Sequence, residues 1–236
     1  MNCERLKLQL CLWGWLGLVC GWPLGAAGLP AGSAAARSLP PDAGLETLLR
    51  GVENKYNHLK TLRLHFEQVY QQGSQVLRQE GGTLYLRKPG QMRWEYDDPE
   101  PKLFLTDGRR MTLYVPQERR ATQTEIKNSD DLRNPMRFLL GGLKFEKEFE
   151  QVERERELVP IDNRDIIIKA VPKRMADRLE RVVMEISPEF LIRRLILREP
   201  GGVQTEFRFA GQTEDLTLSP ELFRFQAPAG TEVVRQ

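Results

Sequence analysis

Acid–base or nucleophilic chemistry needs reactive side chains at suitable spacing, and in this 236-residue chain they are scarce. There are two histidines, His58 and His65, and three cysteines, Cys3, Cys11 and Cys20. No His-Glu-x-x-His, Gly-x-Ser-x-Gly or phosphate-cradling glycine loop accompanies the histidines, so both read as solvated polar positions. Asp97-Asp98 and Asp130-Asp131 could hold a cation or move a proton, but each pair falls at the border of a strand or helix, where turns and caps favour Asp. The doublets Gly81-Gly82, Gly141-Gly142 and Gly201-Gly202 suit bulges, helix stops and tight turns better than ligand loops. This inventory offers no catalytic residue, no metal site and no cofactor, and it points away from an enzyme.

The N-terminus has the pattern of a secretory signal, with Arg5 and Lys7 ahead of the apolar run from Leu8 to Leu18. Gly14, Gly17, Gly21 and Pro23 break that run, which makes it poor for the ~20 apolar residues of a membrane-spanning helix. Small-residue cleavage patterns follow at Ala26-Ala27-Gly28 and Ala34-Ala35-Ala36, and cutting at the second leaves Arg37 first in a mature chain of 200 of the 236 residues. All three cysteines lie in the removed segment, so the mature domain has no disulfide, thiolate metal site or cysteine nucleophile. Lipid attachment at Cys20 is disfavoured, because Gly17-Leu18-Val19 puts no small residue just before it. The signal takes two of the 35 basic and one of the 33 acidic residues, leaving 33 against 32 and a mature charge of +1. Arg109-Arg110, Arg119-Arg120 and Arg193-Arg194 alternate with acidic neighbours, as on the wet face of a sheet. No nucleic-acid footprint emerges.

The elements that would position any site follow from periodicity. Residues 37–44 form a leader ending in a helix start, with Asp42 as N-cap. Leu45, Leu48, Leu49, Val52, Tyr56 and Leu59 then fall on one stripe of a helix. From Thr61 the period drops to about 2. Leu62, Leu64 and Phe66 alternate with Arg63, His65 and Glu67, Leu84 and Leu86 with Tyr85 and Arg87, and Met92 and Trp94 with Arg93 and Glu95. Further runs appear at 102–106, 110–115, 121–126, 150–158, 165–171, 180–186, 191–199 and 205–209, several separated by turn signals such as Asp107-Gly108 and Asp162-Asn163. A short helix is predicted at 134–140 and a last turn at Ser219-Pro220-Glu221. The fold class is mainly β (α+β): about eleven antiparallel strands in one sheet that must curl to hide a face, covered by a few short helices.

The run from Gly82 to Tyr96 (GTLYLRKPGQMRWEY), then Pro99, Asp107-Gly108 and Leu113-Tyr114, resembles the signature of the LolA family. Phe66-x-Gln68, the segment 135–142 ending Leu-Leu-Gly-Gly, and the closing residues 222–234 extend the likeness over nearly all of the mature chain, as one carrier domain at 45–236. The resemblance implies an incomplete antiparallel β-barrel with helices across its open side and an apolar cavity for acyl chains. It implies a monomeric periplasmic chaperone in lipoprotein transport, which receives lipoproteins from an inner-membrane ABC-type transporter and passes them to an outer-membrane acceptor. Lys88 falls on the family's basic, lid-holding position, where many members have Arg; an ammonium lacks the planar fork of a guanidinium, so the lid would be held less firmly. Strand parity with Lys88 then suggests Leu64, Phe66, Leu84, Leu86, Met92, Trp94, Leu103, Leu105, Met111 and Leu113 as the lining. Two other readings are a lipid-sensing or glycolipid-binding relative and a scaffold that binds proteins along a sheet edge.

Overall fold

A computed structural model describes residues 43–126, 139, 142–173 and 178–236. The signal at 1–36, most of the leader with its Asp42 cap, Asp130-Asp131 and the helix expected at 134–140, Leu139 excepted, lie outside the described residues. Helix α1 spans Ala43–His58, so Ala43 and Gly44, assigned to the leader from sequence, are helical. The strands are β1 (Thr61–Gln72), β2 (Gln75–Arg87), β3 (Gln91–Asp98), β4 (Lys102–Asp107), β5 (Arg110–Val115), β6 (Arg120–Glu125), β7 (Phe149–Arg154), β8 (Ile166–Pro172), β9 (Arg181–Ile186), β10 (Ile192–Arg198), β11 (Val203–Glu214) and β12 (Glu232–Arg235). One further helical turn, α2, covers Phe145–Glu148.

All twelve strands form one open sheet, ordered β12-β6-β5-β4-β3-β2-β1-β11-β10-β9-β8-β7. Pairing is antiparallel throughout except at one edge, where β12 runs parallel to β6. That strand escapes a reading by periodicity because its four residues are exposed or half-buried and present no apolar face. Along the antiparallel strands alternation sets a buried inner face, and the sheet curls so that these faces meet. Phe66 on β1, Trp94 on β3, Met111 on β5, Ile168 on β8, Met184 on β9 and Phe207 on β11 belong to one buried cluster.

Gly82 shows how local chemistry permits the curl. The β2–β3 register shifts at Gly81/Gly82, and a Cβ on Gly82 would stand 1.9 Å from the Glu95 carbonyl oxygen, which is backbone and cannot swing aside. Gly82 also lies between Phe66 and Tyr96 in register, and its missing side chain lets those two rings meet edge-on at 5.0 Å. Gly82→Ala is therefore expected to destabilise by about 2–3 kcal/mol through overpacking, read as a fall of roughly 4–12 °C in Tm. An unchanged Tm would contradict this close approach.

The outer face is covered in two places. Behind β3 to β6 the C-terminal segment packs down, with Phe223 fully buried and Phe225 5.4 Å from the Tyr114 ring. The Arg93 guanidinium donates to the Leu222 carbonyl at 3.0 Å, so Arg93 sits under this segment and not in open water. Ser219 caps the predicted turn, now a 3-10 turn at Pro220–Phe223, by accepting the Glu221 N–H. Behind β8 to β10 the segment following β7 crosses a small cluster of Ile167, Val183 and Ile196, with Leu158 against it. Glu185 holds that crossing by accepting the Ile161 N–H and pairing with Arg194 at 2.5 Å, while Arg194 donates to the Val159 carbonyl at 2.8 Å.

Candidate functional site

The inner face of the curled sheet is the surface the fold builds at greatest length. Along β1 it presents Leu62, Leu64 and Phe66, then turns polar at Gln68, all of them buried. Gln68 accepts the Tyr96 hydroxyl at 3.2 Å, and Lys102 stands 4.1 Å over the Tyr96 ring while pairing with Glu80 at 2.5 Å. These groups end the apolar band on that side. At the opposite end, just beyond β2, stands Lys88.

Of the lining positions expected from parity, Leu64, Phe66, Leu84, Leu86, Met92, Trp94 and Met111 are gathered into the single inner cluster, and Leu113 packs against it half-buried. Leu103 and Leu105 are corrections. The β3–β4 register sets Leu103 opposite Glu95 and Leu105 opposite Arg93, whereas Phe104 faces Trp94 and Thr106 faces Met92. The inner positions of β4 are thus Lys102, Phe104 and Thr106. Leu103-Phe104-Leu105 is an unbroken apolar run because the C-terminal segment covers the outer face too, and such a run carries no parity signal.

The sequence reading also missed the far half of this surface. Phe207 and Phe209 on β11 stack at 6.2 Å, and Trp94 meets Phe66 at 4.7 Å and Phe207 at 6.0 Å, both edge-on. Alternation in Phe207-Arg208-Phe209 was legible, but the chain's order gives no sign that β11 lies beside β1. The Trp94 Nε1–H is buried and meets no acceptor among the described residues.

Helix α1 closes this face. Leu45, Leu48, Val52, Tyr56 and Leu59, the predicted stripe, are buried against the sheet, and Leu49 packs beside them. Gly51, an unexpected residue for a helix interior, is explained by the Phe190 ring, whose atoms would lie 2.3 Å from a Cβ there. Polar bonds fasten the last two turns. The Lys88 ammonium donates to the Tyr56 carbonyl, one of the terminal helix carbonyls that have no partner within the helix. The Tyr56 hydroxyl accepts the Ile192 N–H at 2.9 Å and reaches Gln212 Oε1 at 3.4 Å. Lys55 pairs with Glu214 at 2.8 Å. Asn57 exchanges two bonds of 2.9 Å with the Leu143 backbone, and Glu53 accepts the Phe145 N–H at 2.6 Å, which ties α1 to the segment leading into α2.

Burial shifts two of these groups. The Tyr56 phenol is pushed well above its ordinary range by desolvation, and so stays neutral. The Lys88 ammonium is pushed below the usual lysine value by burial, partly offset by the Asp215 carboxylate. The histidines do not converge: His58 Nδ1 lies 2.8 Å from the Asn54 carbonyl at the end of α1, and His65 meets the Thr83 hydroxyl on the outer side of β1. Among the described residues no group of three or more His, Cys, Asp or Glu is placed to hold a metal. No helix among them is long and apolar enough to cross a membrane.

Comparison with known proteins agrees with this architecture. Residues 57–226 match the family model described as outer membrane lipoprotein carrier protein LolA. An outer-membrane lipoprotein carrier protein of Hahella chejuensis is 29% identical over 216 residues, 90% of this chain and 96% of its own. One from Nitrosospira multiformis is 28% identical over 196 residues, 82% and 89% of the two chains. Among solved structures, an uncharacterized conserved protein of Thermus thermophilus superimposes with a TM-score of 0.52 at 11% identity, over 82% of this chain and 99% of that one. MucB gives 0.50 at 13% identity, over 83% and 66%; both likenesses concern the fold. With the family model spanning most of its length, the chain belongs to the LolA family of outer membrane lipoprotein carrier proteins.

Proposed function

We propose that the protein carries lipoproteins through the periplasm with their acyl chains against the inner face of the sheet, in the space that α1 fills when no cargo is held. In this reading the N-terminal signal exports it, an inner-membrane ABC-type transporter loads it, and an outer-membrane acceptor unloads it. It does so by binding and release, without catalysis. The supporting observation is a long, buried apolar face closed by one amphipathic helix whose end is held by the Lys88–Tyr56 bond.

Magnitudes make the exchange plausible. Undocking the five buried side chains of the α1 stripe costs about 8–15 kcal/mol, at ~1.5–3 kcal/mol each. An acyl chain of ~15 methylenes gains on the order of 12 kcal/mol on leaving water, at ~0.8 kcal/mol per methylene. The two are of similar size, so cargo can replace the helix, and small differences between membrane, carrier and acceptor can set the direction of transfer. Lys88→Arg follows as a test of the latch: a guanidinium offers more donors in a fixed plane, so the lid should hold more firmly and loading should slow. The reading itself is tested by titrating a fluorescent fatty acid into the protein starting at Arg37. Saturable binding is expected, with displacement by unlabelled lipopeptide; a folded protein that shows neither would refute it.

A further inference from the structure

A second feature sits where the latch is. The last turn of α1, the start of β1, the end of β2 and the segment after β11 enclose a cleft of about 500 Å³, open to solvent and lined by Asn57, His58, Lys60, Arg87, Lys88 and Asp215, with Leu59, Leu216 and Leu218 among its apolar walls. Lys60, Arg87 and Lys88 thus line the cleft against one carboxylate, a formal local excess of two positive charges. The carboxylate is already engaged, since Asp215 accepts the Lys60 backbone N–H at 3.1 Å. Among the described residues the Lys60 ammonium and the Arg87 guanidinium have no ion-pair or hydrogen-bond partner, and the Lys88 ammonium has only the neutral Tyr56 carbonyl.

We propose that this cleft binds a phosphate-type oxyanion, on a soluble phosphate ester or on a phospholipid headgroup, and that the bound anion draws Lys88 away from Tyr56 and loosens α1. A phosphate monoester carries about −1.5 to −2 charges at neutral pH, which matches the excess in the cleft. Its oxygens accept charge-assisted, often bidentate bonds from Arg and Lys, and an anionic acceptor adds a Coulomb attraction for the Lys88 ammonium that the neutral Tyr56 carbonyl lacks. The Leu59, Leu216 and Leu218 walls leave room for the apolar stem of such a group. Lys88 is the shared element: it lines the cleft and holds the lid, so an occupant of the cleft and the closed lid act on the same ammonium. By linkage, whatever anion loosens α1 must bind more tightly once α1 is loose. The effect would place lid opening at a surface rich in anionic headgroups or phosphate esters. The site rests on the latch geometry and is read without cargo, so it stands or falls apart from acyl-chain carriage.

The test titrates the intact protein with glycerol phosphate and with inorganic phosphate against chloride at equal ionic strength, following backbone amide signals around Lys60, Lys88 and Asp215 and hydrogen exchange of the α1 amides. A parallel arm measures flotation with phosphatidylglycerol vesicles and with phosphatidylcholine vesicles. Saturable shifts at the cleft, with faster α1 exchange, are expected in at least one arm; a response to free phosphate alone assigns the ligand as a soluble ester, and a response to phosphatidylglycerol vesicles assigns a headgroup. Lys60→Gln combined with Arg87→Gln should weaken binding by about ten-fold or more, and Asp215→Asn should tighten it several-fold. Arg181→Gln with Arg198→Gln, at the end of β9 and β10 that lies beyond the Gln71 end of β1, the opposite end from the cleft, should change nothing. The proposal is overturned if neither arm shows saturable binding, if the two double variants weaken it equally, or if the anion binds and α1 exchange does not change.

Discussion

Lys88→Leu is expected to load acyl cargo at least as readily as the wild type and to release it to acceptor liposomes or an outer-membrane acceptor roughly ten-fold or more slowly. The bond lost is that from the Lys88 ammonium to the Tyr56 carbonyl, and a hydrogen bond to a charged group contributes about 1.5–3 kcal/mol. Removing it from the closed form alone shifts the closed–open balance towards open by roughly ten- to a hundred-fold. In the proposed exchange, release to an acceptor is driven by the return of α1 to the empty face, so the variant should hold what it has acquired. The sheet itself does not use this bond, and the far-ultraviolet dichroism should be that of the wild type. Release at the wild-type rate with an unchanged melt would show that Lys88 only caps the end of α1 and that the lid is held by Tyr56, Lys55 and Asn57.

The second large effect separates the two faces of the sheet. Met92 is fully buried on the inner face, Leu105 is 2% exposed beneath the C-terminal segment, and Arg63 is exposed on β1. Replacing each with Gln keeps a similar length and changes only what is buried. At Met92 an acyl chain can offer the amide no partner, at a cost of about 1–3 kcal/mol, whereas water reaches it whenever the lid lifts, so acyl binding should weaken by up to roughly ten-fold, and the melt should fall because the closed form buries the same amide. Leu105→Gln should lower the melt comparably and leave binding per folded molecule unchanged, because Leu105 faces outward with Arg93. Arg63→Gln should change neither. If Leu105→Gln weakens binding as much as Met92→Gln, acyl chains are not held on the inner face.

Much of this arrangement was legible before the structure. The α1 stripe, the inner faces of β1, β2, β3 and β5, and the placement of Lys88 at a strand end all follow from periods of 3.6 and 2 acting on Leu45 to Leu113. Two kinds of information were not local. Leu103 and Leu105 were misassigned because both faces of β4 are covered, the inner by the buried apolar cluster and the outer by the C-terminal segment, and nothing within the strand shows that a segment more than a hundred residues later will lie behind it. The partners of α1 were equally hidden: Ile192, Gln212 and Glu214 lie far along the chain and meet Tyr56 and Lys55 only because β11 pairs with β1 and β10 with β11. Gly51 belongs with them, since the Phe190 ring that leaves no room for a side chain there is contributed from far along the chain.

The central claim, that acyl chains replace α1 on the inner face, is tested most directly through Trp94. The other three tryptophans, Trp13, Trp15 and Trp22, precede Arg37, so in the protein starting at Arg37 emission reports Trp94 alone. Its ring is 2% exposed, 4.7 Å from Phe66 in the middle of the apolar face. Bromine on an acyl chain quenches indole emission only at contact range. Titration with a fatty acid brominated along its chain should quench Trp94 in a saturable manner, with the same midpoint as binding of the unbrominated acid, and added lipopeptide should restore the emission. Binding at that midpoint with Trp94 emission unchanged would place the acyl chain elsewhere on the protein and contradict the account.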